Sequence, residues 1–249
     1  MGANFVLISK KIKFKLIMLL IVSVGLFIGC SSNIYYQNAG QSISTGSSGN
    51  GSLENAYQLD YKTRNMRYFS PFSYYVLGNA FVHSKLYYTL IESYEACETT
   101  CPDTKFKLME CSSKKGGKIM IHRTHQHGLS ADFMVSKMRN DRQIKRFDKL
   151  GIWHYLLKFD EGGNLGRKKN VSIDFESMGK HIIALDNAAK ANGLAIKIVI
   201  LKINLKDDFY KTTSGKEVKR RGIYFAQYLQ PNVDKMHDDH YHVDFTITD

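Results

Sequence analysis

The nine residues His237-Asp238-Asp239-His240-Tyr241-His242-Val243-Asp244-Phe245 constrain this chain more than any other stretch. Residues two apart on a strand point to the same face. As a strand, the segment turns His240, His242 and Asp244 to one side and Tyr241, Val243 and Phe245 to the other. The apolar side requires a core to pack on. The polar side presents two imidazoles in line, and imidazole is the commonest protein ligand for zinc and similar metals. A strand of this kind is a base for a metal site, and it needs partners from elsewhere in the chain.

Partners occur upstream. The stretch from His122 to Val135 holds His122, His125 and His127, followed by Gly128 and Asp132 in apolar surroundings. Six of the nine histidines therefore fall in two clusters far apart in sequence. Scattered surface histidines would rarely be placed this way.

His125, Gly128 and Asp132, followed by a later His-x-His, resemble the zinc signature of the superfamily that contains lysostaphin-type peptidases, D-Ala-D-Ala metallopeptidases and hedgehog domains. His122 stands three before His125, and His237 three before His240. These spacings narrow the resemblance to the penicillin-insensitive murein endopeptidases, from about Arg67 to the C-terminus. The resemblance implies a central, mainly antiparallel sheet with flanking helices and a zinc site on one sheet face. It assigns the Zn2+ ligands to His125, Asp132 and His242, leaving the open position that a catalytic zinc keeps. His240 lies one side-chain step along the strand from His242 and is expected to act as general base, since imidazole titrates near working pH. His122 and His237 match further family histidines and are expected to donate to the oxyanion or orient the substrate. Asp238, Asp239 and Asp244 are candidates for holding the imidazoles. His83, His154 and His181 have no such context and are read as ordinary residues. His127 falls at a position expected to vary, and Trp153 is expected in the core.

The implied activity is hydrolysis of the cross-link between D-alanine and a diamino acid in peptidoglycan stem peptides, without an acyl-enzyme. A D,D-carboxypeptidase or dipeptidase on the same fold is the nearest alternative. A non-catalytic, zinc-containing wall-binding lipoprotein is a third reading. A degenerate module would be expected to lose its base before its ligands, and His240 stands beside His242, so the enzyme is favoured.

The N-terminus carries its own signal. Lys10, Lys11, Lys13 and Lys15 precede an uncharged, mostly apolar run from Leu16 to Gly29. That run is short of the about 20 residues a membrane span needs and suits a secretory signal. It ends at Phe27-Ile28-Gly29-Cys30, which resembles a bacterial lipobox, with Phe27 where leucine is usual. An uncleaved anchor is the other reading. Residues 1–29 are thus expected as a lipoprotein signal peptide and Cys30 as the lipidated N-terminus. The protein is expected to be exported and anchored to the outer membrane facing the periplasm. Myristoylation is excluded because Val6 stands where Ser or Thr is required. Residues 30–53, rich in Gly and Ser, are expected as a flexible tether, and residues 54–249 as one metallopeptidase domain.

The formal charge is +12, and removing the four signal lysines leaves +8. Such a surface attracts anionic polymers or membranes, and simple solubility explains it equally well. Nucleic acid is not an expected partner of an exported protein. Export permits disulfides. With Cys30 lipidated, Cys97, Cys101 and Cys111 remain. A strand leading away from Cys101 would carry Cys111 far off, so Cys97–Cys101 is the favoured pair.

Periodicity gives an α+β class. One helix is expected after Ser84 as cap, with Leu86, Tyr87, Leu90, Ile91 and Tyr94 as its stripe. Another follows Asp174 and runs through Phe175, Met178, Ile182, Leu185 and Ala189 to a stop at Gly193. Strands are expected at Phe106–Met109, Lys118–Ile121, Ala131–Val135, Tyr155–Phe159, Ile196–Ile203, Ile223–Tyr228 and His240–Thr248. Helices and strands do not alternate regularly, which argues against a doubly wound parallel sheet.

Overall fold

The computed structural model describes residues 36–248 apart from Ile121 and Arg167, together with Lys15. The expected signal peptide, Cys30 and the first part of the tether fall outside the described residues, Lys15 apart. Among the described residues no helix is long and apolar enough to cross a membrane.

The chain from Gln37 forms one unit. It opens with strands β1 (Ile43–Ser47), β2 (Asn50–Glu54), β3 (Tyr57–Gln58), β4 (Met66–Tyr68) and β5 (Phe81–Val82). Helix α1 (Ser84–Thr100) leads to β6 (Phe106–Leu108), β7 (Ser130–Met134), β8 (Lys137–Arg139) and β9 (Arg142–Gln143). After 3-10 turns at Phe147–Lys149 and Gly151–Leu156 come β10 (Asn164–Leu165), β11 (Lys168–Ile173), α2 (Phe175–Ala191) and β12 (Leu194–Ile200). The chain closes with α3 (Lys206–Lys211), α4 (Thr213–Arg220), α5 (Pro231–Met236) and β13 (His240–Ile247).

The class is mixed α+β. The central sheet has the order β12-β13-β7-β6-β4 and is antiparallel except where β4 runs parallel to β6. A smaller, antiparallel sheet has the order β10-β11-β8-β9. The alternation in β13 is realised. Tyr241, Val243 and Phe245 are buried in the core on the helix side. There the Tyr241 hydroxyl and His181 Nδ1 share a hydrogen bond of 2.6 Å, and the His181 ring stacks on Tyr94 at 4.8 Å. Burial pushes the His181 pKa down to about 3, so it serves as a neutral core residue, in keeping with its ordinary sequence context.

Both expected long helices form. Asp174 caps α2 by accepting from the Ser177 N–H at 3.0 Å, and Gly193 follows the helix with φ +67°. The cap of α1 is His83, not Ser84: its Nδ1 accepts from the Lys85 N–H. Ser84 instead bonds to Ser42 of the N-terminal segment.

Several expectations are corrected. The tether does not extend to residue 53, because β1 and β2 pair as an antiparallel hairpin. Ser48 and Gly49 make the turn, Gly46 in the strand before it takes φ +79°, and Gly51 admits no side chain, since a Cβ there would fall 2.6 Å from Ser47 O. Local turn chemistry here outweighs the low apolar content. Among the described residues, those of the expected strand from Lys118 and the segments Tyr155–Phe159 and Ile223–Tyr228 are not strands. The first follows a turn at Gly116 and Gly117, both with positive φ. The second begins in a 3-10 turn that ends at Leu156 and afterwards makes a single bridge, Phe159 to Leu165. The third makes a single bridge, Phe225 to Val199. Apolar alternation alone did not give these segments a neighbour to pair with along their length. Trp153 is 64% exposed and is no core residue. Cys97, Cys101 and Cys111 are all buried free thiols. The favoured pair, Cys97 and Cys101, does sit one turn apart at the end of α1, where the Cys101 N–H donates to Cys97 O at 2.9 Å, but the thiols are not joined.

The hairpin supports the loop that carries His125. Ser44 Oγ donates to His127 O at 2.7 Å, Gln126 N–H donates to Ser48 O at 2.9 Å, and Leu53 is 2% exposed. A chain starting at Glu54 is expected to be less stable than one starting at Gln37 by at least about 2 kcal/mol, the low end for losing one buried leucine. Urea unfolding of the two chains measures this, and equal stabilities would mean that the hairpin is not part of the folded unit.

Candidate metal centre

The site is assembled by strand register. β7 and β13 pair so that Asp132 stands opposite His242, Met134 opposite His240 and Ser130 opposite Asp244. Partners in register share a face, so these side chains lie on the sheet face away from Tyr241. The loop from His122 to Gly128 then closes over that face. Gly128 has φ +77°, and a Cβ there would fall 2.5 Å from a Leu53 methyl. Only glycine fits the position. His125 itself adopts φ +70°, a conformation that costs a non-glycine residue about 1–3 kcal/mol and clusters at functional sites.

Four imidazoles converge on one carboxylate. Asp132 Oδ1 lies 2.8 Å from His242 Nδ1. Its Oδ2 lies 3.2 Å from His125 Nε2, 3.7 Å from His122 Nδ1 and 3.9 Å from His240 Nε2. Asp132 is 1% exposed. Burial alone would raise its carboxyl, but His125, His242 and His240 hold it well below the usual range. His122, His125, Asp132, His237, His240 and His242 all line one cavity of about 290 Å³. The sequence-derived ligand and catalytic residues are therefore together.

The donors suit a metal ion. His122, His125 and Asp132 offer ligand atoms that all lie within 4.8 Å of one another. Both nitrogens of His125 and Nε2 of His122 are buried without a hydrogen-bond partner. Buried polar atoms left unpaired are costly, and a cation would pair one nitrogen of each imidazole that it binds. A tetrahedral zinc with ligands at about 2.0–2.2 Å needs donors about 3.4 Å apart, close to the His125–Asp132 separation. This compact triple shares two members with the set His125, Asp132 and His242 and replaces the third by His122. His242 is engaged differently: its Nδ1 faces Asp132 and its Nε2 lies 2.8 Å from Asp244 Oδ1. Burial works against its charge, yet Asp244 and Asp132 offset that and hold its pKa up at about 10. Metal ligation would require this residue to give up a proton.

The other two histidines are oriented by their surroundings. His240 Nδ1–H donates to Asp239 Oδ1 at 2.7 Å, which leaves Nε2 for the cavity. Asp239 Oδ2 also accepts from His154 Nδ1–H at 2.9 Å. Burial disfavours the His240 cation, but Asp239 more than offsets it and the pKa is raised. His237 Nδ1–H donates to Val233 O at 2.7 Å, and burial pushes the His237 pKa down to about 3. Burial also lowers His122 to about 4. The cavity thus combines neutral imidazoles, His122 and His237, with two carboxylate-backed imidazoles, His240 and His242.

Of the three aspartates proposed to hold imidazoles, Asp239 and Asp244 do so. Asp238 instead accepts from Lys158 Nζ and from Phe159 N–H. Sequence reasoning missed His154, which is fully buried behind Asp239. It also missed Tyr155, whose ring lies 5.7 Å from His240 and 6.1 Å from His122 and whose hydroxyl is buried without a partner. Neither has a sequence spacing that links it to the two motifs. The α5 residues Asn232, Val233 and Met236 also line the cavity. Comparison with protein-family models and with curated proteins finds no match to this chain.

Asp239 is the largest source of the raised His240 pKa that acts against burial. Asp239→Asn is expected to lower the His240 pKa by about 1 unit or more, read by NMR titration of the metal-free protein. An unchanged value would mean that Asp239 does not control this imidazole.

Proposed function

We propose that this chain is a zinc-dependent murein endopeptidase that hydrolyses D-alanyl to diamino acid cross-links in peptidoglycan stem peptides. The observation that carries the reading is the cavity in which a buried carboxylate meets four imidazoles while a second carboxylate, Asp239, orients one of them. The motif spacings that resemble this family supply the substrate class. In the same reading the chain is exported and lipid-anchored at Cys30 to the outer membrane, facing the periplasm.

Zinc, when bound, supplies a Lewis acid for the scissile carbonyl and makes water acidic enough to react near neutral pH. His125, Asp132 and His242 would hold it, with His242 yielding its proton. The triple His122, His125 and Asp132 is the second assignment, favoured by the close approach of its donor atoms. His240 takes a proton from the attacking water at Nε2, because its Nδ1–H is committed to Asp239. The water oxygen bonds to the carbonyl carbon, the C–N bond breaks, and His240 returns the proton to the leaving amine. His237 has its N–H committed to Val233, so its Nε2 accepts an N–H from the substrate backbone. That role fits orientation of the substrate, not donation to the oxyanion.

The test pairs zinc content with turnover of a purified cross-linked muropeptide. His240→Ala is expected to retain zinc while turnover falls about 10²–10⁴-fold, the usual range for a general acid–base. His242→Ala is expected to lose both, and His122→Ala to keep the metal. Loss of zinc from His122→Ala with retention in His242→Ala would select the second ligand set. Failure of the zinc-loaded parent to cleave any cross-linked muropeptide would rule out the endopeptidase reading.

A further inference from the structure

A second cavity, of about 350 Å³, lies away from the histidines and is lined by seven cationic side chains and one carboxylate. The carboxylate, Asp148, is already committed to the buried Lys137 at 2.8 Å. Arg64 is paired with Glu98 at 3.0 Å, and Lys105 donates to the Arg64 carbonyl at 3.3 Å. The other five, Lys62, Arg67, Lys107, Lys145 and Lys149, make no ion pair among the described residues. Arg67 only rests over the Tyr61 ring at 5.2 Å. Cations crowded in this way repel one another unless an anion is present.

The placement follows from the sheet. Arg67 pairs with Lys107. Leu108 pairs with Phe133, which sets Lys107 opposite Met134, and Met134 pairs with His240. One row of side chains, His240, Met134, Lys107 and Arg67, therefore runs across one sheet face. Three strand spacings separate its ends by about 14 Å. Lys145 and Lys149 come from the segment that continues through the 3-10 turns to Tyr155 beside His240. Lys107 is half-buried. Burial pushes its pKa down, Asp148 partly restores it, and Arg67 and Lys149 add to the depression.

We propose that this pocket binds a ligand carrying at least two phosphate groups, on the same sheet face as the histidine cavity and separate from it. Five unpaired cations call for comparable negative charge in a confined space. A terminal phosphate group carries about −1.5 to −2 charges at neutral pH, so two or three suffice in a soluble ligand, whereas as many as five carboxylates, or a cluster of singly charged lipid phosphodiesters, would be needed. The arginine fork and lysine ammonium groups are the usual phosphate partners. The phosphates belong either to a soluble oligophosphate or to a membrane surface.

The experiment titrates the full chain with inorganic tripolyphosphate by calorimetry. In parallel, its binding to phosphatidylcholine vesicles with and without cardiolipin is compared. Saturable tripolyphosphate binding is expected, and Arg67→Gln/Lys107→Gln should weaken it by about tenfold or more through loss of two charge-assisted contacts. Lys145→Gln/Lys149→Gln, at exposed loop positions, should weaken it as well and guards against misfolding of the first variant. Lys216→Gln on α4 should leave it unchanged. A cardiolipin-dependent gain that both double variants abolish assigns the phosphates to a membrane; its absence assigns them to a soluble ligand. No saturable tripolyphosphate binding, or binding equal in parent and both double variants, overturns the proposal. Because none of these readouts uses zinc or muropeptide, failure here leaves the peptidase reading untouched, and the reverse also holds.

Discussion

The buried carboxylate of Asp132 is the interaction on which the rest of this structure depends. An ionised carboxylate in a protein interior is tolerated only with partners. Asp132 has His242 at hydrogen-bond distance and His125, His122 and His240 around its second oxygen. Those four side chains come from one strand and one loop, and Asp132 from a second strand, so charge satisfaction at one residue ties together segments far apart in sequence. The His242 proton answers the negative charge of Asp132 and Asp244. A divalent cation would supply the same compensation with more charge, while also pairing one of the orphaned His125 nitrogens.

The two faces of β13 divide the work. Tyr241, Val243 and Phe245 bury their side chains among Phe133, His181 and Tyr94. Each such burial contributes about 1.5–3 kcal/mol. That apolar face fixes register, because a one-residue slip would turn every imidazole into the core. Register in turn sets His242 against Asp132. The precision of the polar site is therefore a consequence of hydrophobic packing on the other side of the same strand. The N-terminal hairpin extends the same logic to the loop, holding it by backbone hydrogen bonds at Gln126 and His127.

Much of this was legible in the sequence, for identifiable reasons. The alternation at His240–Phe245 has a period of two and no competing reading. Asp174 and Gly193 bracket α2 because capping is local chemistry. His240 and His242 were legible from the strand period alone, whereas the set His122, His125, Asp132 and His237 rested on the resemblance that their spacings carry. What was missed depends on contacts distant in sequence. His154 gains its role from Asp239, and Tyr155 from a 3-10 turn that its apolar alternation disguised as a strand. The hairpin at Ile43–Glu54 was read as a tether because serine and glycine are common in linkers. Its stability comes instead from the close pairing that Gly46, at positive φ, and Gly51 permit and from Leu53 against Gly128. Trp153 shows the converse: a large aromatic that the fold leaves exposed.

The central claim is that Asp132 and its imidazoles form a metal site. Zinc affinity of the purified chain and of Asp132→Asn, measured by competition with a chelating dye at neutral pH, tests it most directly. Asparagine keeps the shape and removes the charge. The parent is expected to bind stoichiometric zinc, and Asp132→Asn, shown by circular dichroism to be folded, to bind at least about tenfold more weakly. A folded parent that takes up no zinc, or a variant with unchanged affinity, would contradict the account.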